Sequence, residues 1–365
     1  MLRLFARLTR RNRSTPAVTE KSQKPLAAAV EQLEGRTMFA LPAHVTSMTT
    51  DNRGEVILTT DRSLNPATIT TASVLVFTYG PDGIPLTNDD IKQSIKLTWT
   101  ESNRQLRIRT LGLPAGNNYW VKLSARQIRT FDGLLLDGEF KTPGGRTGNN
   151  VQGGDLLLQS KRDTSKRPVA RFYTNFGGIN VTLFKDLTPI TVDNFLHYAN
   201  EAAWDGTFFH RSVPNFVIQG GGFIVDKNNT IQNAHQEASI LNEPGITNTR
   251  GRIAMARIDD NDPNTTDDIN SATNQWFFNT VNNTSLDSSN GGFTSFGEVA
   301  DDASMAVVDA INGLQRVNAG GALNELPVND LAAVQNRGSL DPAADVVSVR
   351  RVAILNKISA LVVPT

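Results

Sequence analysis

The sequence predicts a mainly β chain in two parts, a β-sandwich followed by a closed β-barrel capped by two helices. Two observations carry that expectation. From about Ala43 to Thr142 the chain is cut into short alternating apolar runs separated by turn residues, the pattern of a sandwich. From Val169 to Ile354 the strand-like runs continue, but two helical stripes now interrupt them, which fits a barrel with helices over its ends. A length of 365 residues is enough for two such domains with their own cores.

Composition narrows the function classes. The 36 basic and 36 acidic residues cancel, so no charge imbalance points to nucleic acid or an anionic membrane surface. The absence of cysteine removes disulfide and thiol chemistry and is compatible with either side of a membrane. No apolar run reaches the ~18–20 residues of a spanning helix.

Residues 1–42 form a basic leader expected to lie outside the folded domains. Arg3, Arg7, Arg10, Arg11, Arg13, Lys21 and Lys24 face one acid, Glu20, within the first 25 positions. Gln32-Leu-Glu-Gly-Arg-Thr-Met-Phe-Ala40 resembles a short tag near the start of bacterial exported or surface proteins. A disordered basic arm is the competing reading. Export to the periplasm, cell surface or medium is therefore the expected localisation, with the cytoplasm left open.

The sandwich is expected over 43–142. Val56-Ile-Leu58, Val74-Leu-Val-Phe77, Ile95-Lys-Leu-Thr-Trp99, Leu106-Arg-Ile108 and Tyr119-Trp-Val-Lys-Leu123 read as strands, with turns at Asp82-Gly83, Asp132-Gly133 and Asp137-Gly138. Leu64-Asn-Pro-Ala-Thr68, Leu113-Pro-Ala-Gly116 and Leu136-Asp-Gly-Glu-Phe140 resemble a bacterial immunoglobulin-like domain of surface proteins. No titratable cluster appears along this stretch, so it reads as a spacer or adhesive module with possible cell-envelope partners. Residues 143–167 read as a polar linker, with Leu156-Leu-Leu158 as a candidate short edge strand, and 357–365 as a tail.

In the second domain, 168–356, Val169-Ala-Arg-Phe-Tyr173 and Ile179-Asn-Val-Thr-Leu183 read as a hairpin through Gly177-Gly178. A helix follows with Thr191 as N-cap and Val192, Phe195, Leu196 and Ala199 on one face; His197 falls off that stripe. Ser304 is expected to cap the second helix, which carries Val307, Ala310, Ile311 and Leu314 and stops near Gly313. Asp259 to Asp268 is a long acidic loop, expected to be solvated, since the EF-hand glycine and final glutamate are missing. Asn318 to Asp345 is a polar insertion to which no role is assigned.

The densest chemistry is Phe209-His-Arg-Ser-Val-Pro-Asn-Phe-Val-Ile-Gln-Gly-Gly-Gly222. Period-two alternation sends Val217 and Gln219 to one face, and Phe216 and Ile218 to the other. If the Ile218 face fills a core, the Gln219 amide is offered outside. Arg211 adds a permanently charged fork of N–H donors. His210 reads as a structural histidine, and the glycine run as a strand exit rather than a phosphate cradle, because no Lys-Ser pair or helix start follows.

This stretch resembles the signature of cyclophilin-type peptidyl-prolyl cis-trans isomerases. Thr191-Val-Asp-Asn-Phe-Leu196, Asp205-Gly-Thr207, Gly251-Arg-Ile-Ala-Met-Ala-Arg257, Ser271-Ala-Thr-Asn-Gln-Trp-Phe277 and Phe296-Gly-Glu-Val299 follow in the family's order, between Pro168 and Leu355. The resemblance implies a closed barrel and catalysis of rotation about X–Pro bonds in polypeptides, with no cofactor, metal or covalent intermediate. It implies Arg211, Phe216, Gln219 and Phe277 as catalytic residues. Val217, Leu286 and Phe293 would complete the proline pocket, and Ala256 and Arg257 would line the groove for residues preceding proline. Departures are Ser285 where cyclosporin-sensitive members often carry tryptophan, Val217 for methionine, and Phe293 for histidine or tyrosine. Two rivals stand beside an isomerase that assists folding: a proline-peptide-binding module that has lost turnover, and an adhesive component working through its sandwich. The retained Arg211 favours the enzyme; the altered rim keeps the binding module in play.

Overall fold

In the computed structural model, residues 41–113, 116–140, 147–258 and 267–361 are described. The basic leader up to Ala40 and most of the acidic loop, 259–266, lie outside them. Nine strands come first: β1 Ala43–Thr50, β2 Glu55–Thr60, β3 Val74–Thr78, β4 Ile91–Lys92, β5 Ile95–Thr100, β6 Gln105–Thr110, β7 Tyr119–Leu123, β8 Leu136–Asp137 and β9 Leu156–Lys161. The second half supplies β10 Val169–Thr174, β11 Gly177–Leu183, α1 Pro189–Asn200, β12 Thr207–Ser212, β13 Val217–Val225, β14 Ile231–Asn233, β15 Arg252–Met255, β16 Trp276–Asn279 and β17 Ser295–Val299. It ends with α2 Asp302–Asn312, β18 Arg316–Val317, β19 Leu326–Pro327, α3 Leu331–Arg337, α4 Pro342–Asp345, β20 Val347–Ile354 and β21 Lys357–Ala360.

Two five-stranded sheets, β5-β6-β2-β1-β8 and β21-β9-β7-β3-β4, make the sandwich. Val45, Val56, Leu58 and Ile108 from one sheet and Val74, Val76, Val121 and Leu158 from the other fill a single core, as alternating strands require. Two expectations change here. The stretch expected as a linker contains a full six-residue strand, β9, paired with β7 inside the second sheet. The expected tail contains β21, which pairs antiparallel with β9 from Lys357↔Lys161 to Ala360↔Leu158. The barrel is thus inserted between two neighbouring strands of the sandwich, and two chain crossings join the modules.

The barrel closes in the order β12-β20-β10-β11-β17-β15-β16-β13, with β13 returning to pair with β12. Phe172, Ile218, Trp276, Phe278 and Phe296 fill its interior, and α1 and α2 add Phe195, Val308 and Ile311 to the same core. Pro189 occupies the first turn of α1 with Thr188 as N-cap, so Thr191 lies inside the helix, buried, rather than capping it. In α2 the cap is Asp301, whose carboxylate accepts from the Ser304 N–H at 2.7 Å. The buried Ser304 hydroxyl instead accepts from the Asn180 N–H at 2.9 Å.

Four α-helices are present among the described residues rather than two. The extra pair, α3 and α4, lies in the polar insertion, which is not loose. Leu326, Val328 and Val334 bury against Phe208 and Val346 on the outside of the barrel. The glycine run also departs from expectation: Gly220 to Gly222 lie within β13, all buried. A Cβ at Gly220 would sit 2.6 Å from the Trp276 ring, and Gly221 adopts φ +89°, so the wall bends around the indole only because these side chains are absent.

Sandwich and barrel belong to one compact unit. At their seam Asp51, fully buried, pairs with Arg351 and accepts from the Tyr173 hydroxyl at 2.9 Å. Burial, and then the Asp51 carboxylate, push the Tyr173 phenol well above its ordinary value, so it stays a donor. Asn52 exchanges bonds with the Ile354 backbone at 2.8 and 2.9 Å, and Arg53 grips Asp205 with two bonds of 2.7 Å. The sandwich therefore does carry a titratable cluster; its members are spread across 300 positions, which hides it from a reading along the chain.

Candidate active site

Alternation along the barrel strands sorts side chains into an inner and an outer set. Ile218, Ile253, Trp276 and Phe278 point inward. Val217, Ala254 and Phe277 point out and form a separate apolar cluster with Phe216, Ala256, Leu286 and Phe293. The ladders set the row: Arg211 pairs with Gln219, Gln219 with Phe277, and Phe277 with Ala254. Four strands thus place a cation, an amide and an aromatic ring in one line across the outer wall.

Around that row is a cleft of about 170 Å³ lined by Arg211, Phe216, Val217, Gln219, Ala256, Arg257, Phe277, Leu286 and Phe293. All nine residues proposed from the sequence meet here. Strict alternation would have put Phe216 with Ile218. Asn215, at φ +55°, turns the chain before β13 begins and brings Phe216 to the side of Val217. The Phe216 carbonyl accepts from the Thr280 N–H at 2.9 Å, the Thr280 hydroxyl at 3.0 Å and the Asn283 amide at 2.9 Å. Phe277 and Phe293 meet edge to face with centroids 6.0 Å apart. Leu286 comes from a short 3-10 turn, Thr284–Asp287, and its carbonyl accepts from the Phe293 N–H at 2.9 Å. Ser285 beside it is exposed.

The polar groups have partners that the sequence reading missed. Gln219 Nε2 donates to Gln275 Oε1 at 2.9 Å, which leaves Gln219 Oε1 as the acceptor facing the cleft. Gln275 lies two positions before Phe277 on the same strand face, a signal that was available. Arg211 Nε donates to Glu325 Oε2 at 2.9 Å, and Glu325 belongs to the insertion that had no assigned role. Arg257 stands over the Phe293 ring at 4.3 Å and donates to the Ile269 and Asn290 carbonyls at 3.1 and 2.8 Å, bracing the loops that frame the cleft.

His210 is buried against Phe223, and among the described residues its Nδ1 has no partner, so it is a buried rather than a satisfied histidine. Burial first, and then the Arg211 charge, lower its pKa to about 4, which keeps the ring neutral near pH 7. Among the described residues no group of three or more His, Asp or Glu is placed to hold a metal ion. A larger cavity of about 600 Å³ at the seam is lined mostly by polar and charged residues, among them Arg162, Asp163 and Lys166. It lacks the aromatic floor of the smaller cleft.

Comparison with known proteins points to the same half of the chain. Residues 169–332 match the family described as cyclophilin type peptidyl-prolyl cis-trans isomerase/CLD. A peptidyl-prolyl cis-trans isomerase of Acinetobacter baylyi is 39% identical over 142 residues, covering 38% of this chain and 68% of that one. Peptidyl-prolyl cis-trans isomerase B of Escherichia coli is 42% identical over 150 residues, 39% of this chain and 83% of its own length. A crystal structure of a Cryptosporidium parvum cyclophilin, determined in the presence of the dipeptide Ala-Pro, aligns with 51% of this chain and 98% of that one at 18% identity and a TM-score of 0.36.

Proposed function

Because this chain belongs to the cyclophilin-type peptidyl-prolyl cis-trans isomerases, and is an isomerase of X–Pro bonds, we propose that the row Arg211–Gln219–Phe277 is where it turns the bond. The planar amide resists rotation by ~18–20 kcal/mol because resonance is lost at the midpoint. No bond is made or broken, so catalysis consists of binding the twisted amide better than either planar form. The apolar cluster of Phe216, Val217, Leu286 and Phe277 holds the prolyl ring still. As the amide twists, the prolyl nitrogen becomes pyramidal and gains a lone pair. The guanidinium of Arg211, always charged and rigid, donates to that nitrogen. Gln219 Oε1 accepts from a substrate backbone N–H, and Ala256 and Arg257 border the residues that precede proline. His210 takes no part, since no proton is transferred.

One observation carries this reading: a half-exposed guanidinium and an aromatic floor occupy one row of the barrel's outer wall. The experiment is a short Xaa-Pro peptide whose cis-to-trans rate is followed with the wild type and with Arg211→Ala; equal rates for the two would remove Arg211 from the mechanism. A binding module without turnover is not favoured by relatives that are themselves isomerases. For the remainder of the chain, our proposal is an immunoglobulin-like module on an exported protein, with proline-containing polypeptides as clients and envelope components as partners of the sandwich. The strand composition and the tag-like leader support it. Cell fractionation tests it, and recovery in the cytoplasm alone would refute export.

A further inference from the structure

Arg211 is held from a direction that the signature stretch does not supply. Its Nε donates to Glu325 Oε2 at 2.9 Å, across 114 positions of sequence, while among the described residues neither Nη meets an acceptor. Glu325 is itself fixed. Its carbonyl accepts from the Ser212 N–H at 2.9 Å, directly beside Arg211. The next residue, Leu326, is fully buried with Val328 against Phe208 and Val346, and pairs with Val317 in the β18–β19 ladder. Arg211 and Glu325 each keep 34% side-chain exposure. An ion pair that wet contributes little to stability. What it does supply is geometry: a flexible four-bond side chain is anchored at Nε, so both Nη groups stay in the cleft.

We propose that Glu325 is a positioning residue for isomerisation, a carboxylate in the insertion that clamps Arg211 through Nε and leaves the Nη fork for the twisting amide. The inference rests on the role given to Arg211 above. It makes the insertion a working part of the active site rather than an exterior addition.

The test is a cycle of four proteins, wild type, Glu325→Ala, Arg211→Ala and the double variant, with kcat and KM measured on one Xaa-Pro peptide. Glu325→Ala is expected to lower kcat about ten- to hundredfold while KM changes little, because the lost interaction acts at the midpoint of rotation. In the Arg211→Ala background the same change should cost nothing further. Should alanine loosen the insertion, Glu325→Gln repeats the test at constant shape. Its amide oxygen still accepts from Nε, so it should recover part of the lost kcat. A wild-type or faster Glu325→Ala enzyme overturns the clamp, as does an undiminished loss in the double variant. Both outcomes leave Arg211 in place if Arg211→Ala alone is impaired; a wild-type rate for Arg211→Ala overturns both assignments.

Discussion

The sandwich and the barrel are built from the same material, short alternating strands with one apolar face, yet they treat the opposite face differently. In the sandwich, outward positions are either polar, as Arg107 and Arg109 on β6, or covered by a neighbour: Ile57 of β2 packs against Tyr173 and Ala353 of the barrel, and Trp120 of β7 stacks on Phe77. In the barrel, the outward positions of β13, β15 and β16 are Val217, Ala254 and Phe277, and they gather a second apolar cluster outside the wall. Phe277, Val217 and Ala254 are buried, while Phe216, Leu286 and Phe293 around them stay partly exposed, so the cluster has an apolar floor under a rim that solvent reaches. A site arises here because this outward apolar row lines a cleft, where the sandwich's outward apolar residues pack on a neighbour.

The two modules meet at Asp51, and the largest effect on their union is expected there. Asp51→Ala leaves Arg351 and the Tyr173 hydroxyl buried with only Glu55, at 3.6 Å, to offset the charge. A loss of about 3–5 kcal/mol follows from breaking a buried pair on one side, read as a lower denaturation midpoint of the whole molecule. Two separate unfolding transitions in the variant would show that this cluster is what makes the modules unfold together. The second expectation concerns function in the barrel alone. Arg211→Ala should lower kcat/KM by about 10²-fold or more, the scale of losing one aimed donor, with the melting temperature nearly unchanged.

The third uses His210, which, in contrast to the sandwich's buried His44 between Asp61 and Asp137, faces no carboxylate among the described residues. Its folded pKa of about 4 lies below the ordinary value of 6.5, so between these pH values the unfolded chain binds the extra proton. Stability is therefore fully present above pH 6.5 and falls as pH drops towards 4, by about 3 kcal/mol. His210→Phe should flatten that loss in a series of denaturation curves across pH. Smallest is Ile358→Ala on β21, half-buried against the sandwich core. It should cost roughly 1 kcal/mol and leave the isomerase rate alone. A changed rate would mean that the sandwich edge is coupled to the cleft.

The cleft was legible because its residues sit in short motifs that resemble a known family; Leu286 lies in a 3-10 turn and Phe293 outside any strand, where strand periodicity says nothing. Counting in twos sorted Val217 and Gln219 to one face, whereas Arg211, Phe216, Phe277, Ala256, Arg257, Leu286 and Phe293 were assigned through the resemblance to a known family. Phe216 shows the limit of counting. Its side depended on Asn215 adopting a left-handed backbone, which alternation cannot foresee.

The sequence by itself determined the mainly β class, the barrel with its signature and the membership of the cleft. Each of these is written in neighbouring residues: the class in hydrophobic period and turn chemistry, the barrel and the cleft in short motifs that resemble a known family. Only the tertiary structure decided that β21 returns to β9 across some 200 positions, that Asp51 meets Arg351 across 300, and that Glu325 clamps Arg211 across 114. Such contacts leave no local trace, because a carboxylate bound for a distant arginine looks the same, in its own stretch of chain, as one bound for water.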